Sequence, residues 1–261
     1  MRYFGLLWVQ LRASLQVTMQ YRAEFFLGAF MALFYLFWNL VPMFVLWSQR
    51  PTIAGWSLPE AMLVTAWFTL LRSLLDGAVQ PSLAAVVEHI RKGTLDFVLL
   101  KPADAQFLVS TAKFEVLSFV DALAAIGMMA WSLHELHRIP TAPQLATALV
   151  LTFAAAALLY AISILVISAA FYVVRLDNLI YLFNSVFDAG RWPASVFRGI
   201  WRFLFTFVVP LALMTTYPAL ALLGRLAPQT TVRALAGAAL FVTLARVVWR
   251  RSIGHYRSAS S

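Results

Sequence analysis

The feature that most restricts what this chain can fold into is a series of apolar blocks, each long enough to cross a bilayer and separated by short polar stretches. A spanning helix needs about 20 such residues. Hydrophobic residues make up 62% of the 261 positions and charged residues only 12%, about half the charged share of an ordinary soluble domain. In hydrocarbon every backbone N–H and C=O must find a partner within the protein, and blocks of this length do so as helices. The fold class that follows is an all-α membrane protein.

Blocks at 24–47, 58–79, 105–131, 144–172 and 231–249 are the predicted spans. Trp47, Trp56 and Trp131 fall at the ends of blocks on one side, and Trp8 and Trp249 on the other, as in the aromatic belts of membrane interfaces. The N-terminal stretch is different. Phe4, Trp8, Leu11, Leu15 and Met19 follow helical spacing, with Arg12, Gln16 and Gln20 on another face, which predicts a surface helix over 1–23. The first long block after it is span-length and is followed by no small-x-small site, so it does not read as a cleaved signal.

Residues 173–230 admit two readings. Arg175, Arg191, Arg198 and Arg202 are all basic, which favours holding 173–202 inside and making 203–223 the fifth span. Alternatively 178–191 is a short fifth span and 194–226 dips part-way back from the outside. Both readings give six spans.

The formal net charge of +9 does not mark a nucleic-acid binder, because the basic residues punctuate block ends instead of gathering on one soluble face. Arg2, Arg12, Arg22, Arg91, Lys92, Lys101, Arg250, Arg251 and Arg257 lie on one side; the opposite loops, 48–57 and 132–143, carry Arg50 and Arg138. The positive-inside rule therefore puts both termini, the 80–104 loop and the tail 250–261 in the cytoplasm. There is no cysteine, hence no disulfide framework or thiolate site.

The 80–104 loop is the most informative segment. Leu83, Val86, Val87 and Ile90 form an apolar stripe at i, i+3, i+4 and i+7, with Glu88, Arg91 and Lys92 off it. Pro81 stands where a helix can begin and Gly93 where one can end. The spacing predicts a short amphipathic helix on the cytoplasmic face, either a docking element or a simple connector. Within the blocks, Arg72 and Asp76 are spaced for a mutual salt bridge. Asp121 stands alone near the middle of the 105–131 block, and Asp188 and Arg191 are spaced to satisfy each other. Ionisable groups at such depth are candidate polar sites. His89, His134, His137 and His255 do not cluster as metal ligands, and no G-x-x-x-x-G-K-[ST] loop is present, so ATP chemistry would need a partner.

The run Ile90-Arg91-Lys92-Gly93-Thr94-Leu95-Asp96-Phe97-Val98-Leu99-Leu100-Lys101-Pro102 resembles the first cytoplasmic loop of ABC-2 type transporter permeases. It particularly resembles a six-span branch that includes viologen-exporter-like permeases. Arg175-Leu176-Asp177 is similar to the polar break between their fourth and fifth spans. Pro193, Pro210 and Tyr217-Pro218-Ala219 with Leu222-Leu223-Gly224 are similar to their proline-marked segment before the last span. The resemblance covers essentially the whole chain as a single transmembrane domain. It implies six transmembrane helices, an N-terminal surface helix, a coupling helix in the first loop and re-entrant helices before the last span.

The implied role is the permease subunit of an ATP-binding-cassette exporter in a bacterial inner membrane. Such a subunit forms half of the substrate pathway beside a second permease chain, sister or identical, among membrane lipids, with an ATPase subunit docked beneath each. ATP would be bound by that partner and this chain would hold no cofactor and catalyse no reaction. Carried onto this sequence, the ATPase-coupling residues are Glu88, Arg91, Lys92, Gly93, Leu95, Asp96 and Pro102, and the candidate intramembrane polar sites are Arg72, Asp76 and Asp121. Two other readings compete. An ion-coupled secondary carrier favours discontinuous helices in two repeats, and no internal repeat is found. A membrane enzyme acting on a lipid carrier needs acids, histidines or arginines gathered at one depth, whereas the acids here are expected to be scattered, Asp76 near the inner face, Asp121 mid-span and Asp188 in the 173–230 region.

Overall fold

The computed structural model describes residues 2–172, 177–205 and 210–254. Regular structure among these is helical, apart from one isolated bridge between Ile53 and Trp56. We number the helices α1 (Arg2–Gln20), α2 (Arg22–Gln49), α3 (Leu58–Leu74), α4 (Gln80–Lys92), α5 (Asp96–Leu99) and α6 (Ala105–Ser110). Then follow α7 (Ser118–Glu135), α8 (Ala142–Ser168), α9 (Asp177–Asp188), α10 (Ile200–Phe203), α11 (Tyr217–Leu222) and α12 (Pro228–Ile253). Among the described residues four stretches are long and apolar enough to cross a membrane: Arg22–Gln49, Leu58–Ile90, Ala142–Phe171 and Pro228–Ile253.

The core is built around α3, whose residues from Glu60 to Thr69 are all buried. α3 lies against α7, and α8 lies against α12. Starts are set locally: Glu60 accepts the Ser57 N–H at 3.0 Å before α3, and Gln144 accepts the Thr141 N–H at 2.9 Å before α8, each with proline in the first turn. α2 is the opposite of α3. Phe26, Phe30, Phe34, Phe37 and Trp38 are exposed along it, an apolar surface that water would penalise and lipid accepts.

The sequence predicts a separate helix beginning at Pro81; instead α4 continues α3 through a π-helical turn at Leu75–Val79. The reason lies in proline chemistry. Pro81 has no N–H for the carbonyl four residues back, which belongs to Gly77. That carbonyl accepts the Glu115 N–H at 2.7 Å instead, and the Gln80 N–H reaches five residues back to Leu75. The same device recurs before α11, where a π turn at Ala212–Thr216 precedes Pro218. π turns inside helices commonly accompany functional sites.

A second correction concerns the 105–131 block, which is not one helix. α6 ends at Ser110, the chain unwinds over 111–117, and α7 starts at Ser118 and runs to Glu135. Lys113 and Glu115 make this stretch polar, and its backbone is held from outside. Ser82 Oγ donates to the Lys113 carbonyl at 2.7 Å and accepts the Lys113 N–H at 3.0 Å. Asp121 consequently stands in the first turn of α7 and not midway along a helix.

The stretch 173–176, with the Arg175-Leu176 break, lies outside the described residues, as do 206–209 and 255–261. α9 runs antiparallel to α3 and α4: Asn184 meets Gln80, Asp188 meets Arg72, and the Arg191 carbonyl accepts from Thr65. Beyond it, Ser195 reaches Trp56 at the start of α3, and Thr216 accepts the Ala194 N–H. Arg225 closes the segment on Glu60, in the first turn of α3. Residues 194–205 and 210–225 therefore cluster around the Trp56 end of the core, while Gly190 lies beside Leu211 and Thr215.

Candidate functional site

The 80–104 loop is a small folded unit. On α4, Leu83 and Val86 are almost fully buried and Val87 and Ile90 pack against the core, so the apolar stripe faces the protein. Gly93 adopts φ +66°, the left-handed region that glycine enters without steric cost. The Thr94 N–H then closes onto the His89 carbonyl at 2.9 Å, and Thr94 Oγ1 bonds the His89 ring at 2.8 Å. Asp96 opens α5, and Pro102 lies exposed between α5 and α6.

Not every residue assigned to this loop is open to a partner. Leu95 is wholly buried and acts as the unit's internal plug. Glu88 is exposed but already paired, with Lys92 Nζ at 2.6 Å. Arg91 lies in α4, with its side chain outside the described set. The conspicuous open groups are Phe97 and Leu100, at 72% and 82% exposure. Sequence reasoning passed over them because two apolar residues in an apolar run look like core.

Charges that are far apart in sequence meet beside α3. Arg72 Nε donates to Asp76 at 2.7 Å, as its spacing predicts, and its Nη1 donates to Asp188 at 3.0 Å. Arg191 donates to the Asp188 carbonyl and to Asn39 Oδ1, and its guanidinium sits 5.5 Å from the Phe68 ring centre, within cation–π range. Asp121 joins them: with Arg72, Arg191, Asn39 and Tyr35 it lines a cavity of about 300 Å³ between α2 and α3. The separation of the acids expected from sequence is thus overturned. Asp76 and Asp188 are engaged by arginine, which makes them structural partners before they are reagents. These ion pairs remain 29–43% exposed on their side chains, an arrangement that lipid alone does not tolerate cheaply.

A third polar cluster was not legible in the sequence. Arg246 of α12 forks onto both carboxylate oxygens of Asp104, the cap of α6, and also reaches Gln106. Gln106 donates to the Tyr160 hydroxyl at 3.0 Å, and that hydroxyl bonds Ser110 at 2.7 Å. α6, α8 and α12 are stapled together at one level. The Arg246 hydrogen bonds hold the Asp104 carboxyl below its usual range, against the opposing effect of partial burial. At the other end of the core, Glu60 receives Arg225 at 2.6 Å and Arg138 donates to the Leu223 carbonyl at 2.8 Å. His134 and His137 stack with ring centres 6.3 Å apart, and among the described residues no third ligating side chain joins them.

These features belong to a helical membrane protein with a folded loop between its second long helix and α7. The family model described as ABC-2 family transporter protein matches residues 33–260. The chain belongs to the ABC-2 transporter family. The match takes in every cluster above and leaves out α1 and the first turns of α2. No curated protein and no solved structure matches the chain. As a member of this family it is a multi-pass membrane protein and a transport component, and the family implies partnership with an ABC ATPase.

Proposed function

We propose that this ABC-2 protein is the permease subunit of an ATP-driven exporter, forming half of the substrate pathway and taking its power from a separate ATPase docked on the 80–104 loop. The observation that carries the reading is the loop itself. Its apolar stripe is anchored in the core, its helix is stopped by a left-handed glycine, and its open surface is concentrated at Phe97, Leu100 and the Glu88–Lys92 rim. An element anchored this way transmits displacement, which a floppy connector cannot.

The topology we favour has six spans: α2, α3, α7, α8, α9 and α12, with both termini and the 80–104 loop, α4 included, in the cytoplasm of a bacterial cell. α9 is short, about 18 Å at 1.5 Å per residue. The polar contacts that bring Ser195, Thr216 and Arg225 to the Trp56 and Glu60 end of α3 support a re-entrant 194–226 entered from outside. They favour the second of the two readings above. α1 suits a surface helix: Phe4, Trp8, Leu15 and Met19 are exposed, while Ser14 is tied to Phe114. The Arg72–Asp76–Asp188–Arg191 cluster and the cavity at Asp121 mark the pathway side, closed by a second permease chain, identical or sister.

The test is co-purification. The tagged chain extracted from its own membranes should carry a phosphate-loop ATPase with it. Alone it should turn over no ATP, and reporter fusions after Arg138 and Arg257 should report outside and inside. Reversing Glu88 and Phe97→Asp together should release the ATPase, since a misplaced charge in an interface costs several kcal/mol. An ATPase that stays bound to this double variant, or reporters on one side, would reject the reading.

A further inference from the structure

Two interruptions stand side by side where the loop joins the membrane helices. One is the π turn at Leu75–Val79 and the other is the unwound stretch 111–117. They are bonded to each other through the Glu115 N–H and the Gly77 carbonyl at 2.7 Å. Backbone approach is close enough that a Cβ on Gly77 would stand 3.0 Å from Ser118 Cβ and 3.3 Å from the Glu115 carbonyl oxygen. Both connections between the loop and the core helices α3 and α7 therefore depart from regular α-helix at one level, one by a π turn and the other by unwinding.

What lies beyond the breaks holds together. Ser82, fully buried, grips Lys113 by both its N–H and its carbonyl, so the end of the stretch is fastened to α4. α4 and α5 both pack against α6, with Leu83, Val86, Leu95 and Val109 buried there. The surroundings differ with distance from the break. Close to it, Gln80 bonds Asn184 at 2.8 Å, and Phe114 bonds Ser14. Farther out, α4 meets α8 and α9 through Leu83, Ala84, Val166, Ile167 and Phe183, around a void of about 60 Å³. Apolar contact of this kind has no directional bonds to break and permits small sliding motions. At the far side the charged tie is the fork of Arg246 on Asp104, beside which Gln106 and Ser110 bond the Tyr160 hydroxyl of α8.

We infer that residues 80–113 form one rigid body that pivots against the membrane helices about the paired break at Gly77 and Glu115, with the Asp104–Arg246 fork as its catch. The pivot is a property of this chain alone; only what drives it rests on the exporter reading. The arm from Gly77 to Gly93 is about 24 Å long at 1.5 Å per residue, so a tilt of roughly 10° moves its tip by about 4 Å. Motion of that size at the ATPase-facing tip would reach α3, α7 and, once the catch releases, α12.

The chain has no native cysteine, so spin labels can be placed cleanly on the full-length protein in lipid nanodiscs. One pair, Glu88→Cys with Leu100→Cys, lies within the body; the other, Leu100→Cys with Leu123→Cys, spans the pivot, and all three sites are exposed. In Arg246→Ala the spanning pair should broaden or shift by about 4 Å while the internal pair stays as in the parent. Asp104→Asn removes the same catch from the other side if the arginine variant fails to fold. An internal pair that broadens as much as the spanning pair, or a spanning pair indifferent to both variants, overturns the proposal. If the spanning pair responds but no ATPase co-purifies, the pivot stands and the exporter reading falls.

Discussion

Replacing Arg246 by methionine keeps the length and apolar stem of the side chain and removes the fork. In the parent, Nη1 donates to Asp104 Oδ1 at 3.2 Å while Nη2 takes Oδ2 and Nη1 also serves Gln106. Breaking a buried pair costs about 3–5 kcal/mol, whereas an exposed one is worth about 1 kcal/mol or less. Side-chain exposure of 33% for Arg246 and 37% for Asp104 places this pair between the two, and solvent screening lowers the upper figure. A loss of about 2 kcal/mol follows, equivalent to about 4–8 °C in Tm for a chain of this length.

The pH dependence has a definite sign. Arg246 depresses the Asp104 carboxyl below its usual value near 3.8. Its stabilisation is therefore complete above the unfolded carboxylate pKa and is lost as pH falls through the folded one. Thermal unfolding of the detergent-solubilised protein, followed by tryptophan fluorescence, should separate parent and Arg246→Met fully at pH 7 and less at pH 3, below the unfolded carboxylate pKa. A gap under about 1 °C, or one that persists undiminished at pH 3, would mean that the arginine contributes packing and not charge.

Two further outcomes are expected. Gly93→Val forces a β-branched residue to φ +66°, at roughly 1–2 kcal/mol; the variant should reach the membrane in parental amount but retain less ATPase on purification, and parental retention would remove Gly93 from the coupling argument. Glu60→Gln removes the charge from a carboxylate that is only 8% exposed and holds Arg225 at 2.6 Å, so trypsin added to spheroplasts should cut after Arg225 faster than in the parent. An unchanged cleavage rate would show that this ion pair does not secure the segment before α12.

What the sequence by itself determined are the features governed by neighbours along the chain. Apolar blocks longer than a bilayer require helices, which is why the first, fourth and last spans emerge close to their predicted limits. The stripe at Leu83, Val86, Val87 and Ile90, the glycine stop at Gly93 and the Arg72–Asp76 pair are likewise consequences of helical spacing within a few residues. The tertiary structure alone decided the rest. Pro81 reads as the start of a helix until Glu115 is seen to supply the N–H that Gly77 would otherwise lack. The 105–131 block reads as one span because its polar stretch finds partners in Ser82, Gly77 and Ser14, thirty to a hundred residues earlier. Asp188 meets Arg72 across 116 positions and Arg246 meets Asp104 across 142. Local spacing carries no information about such pairs, because which charges neutralise one another in a low-dielectric interior is settled by how the helices pack.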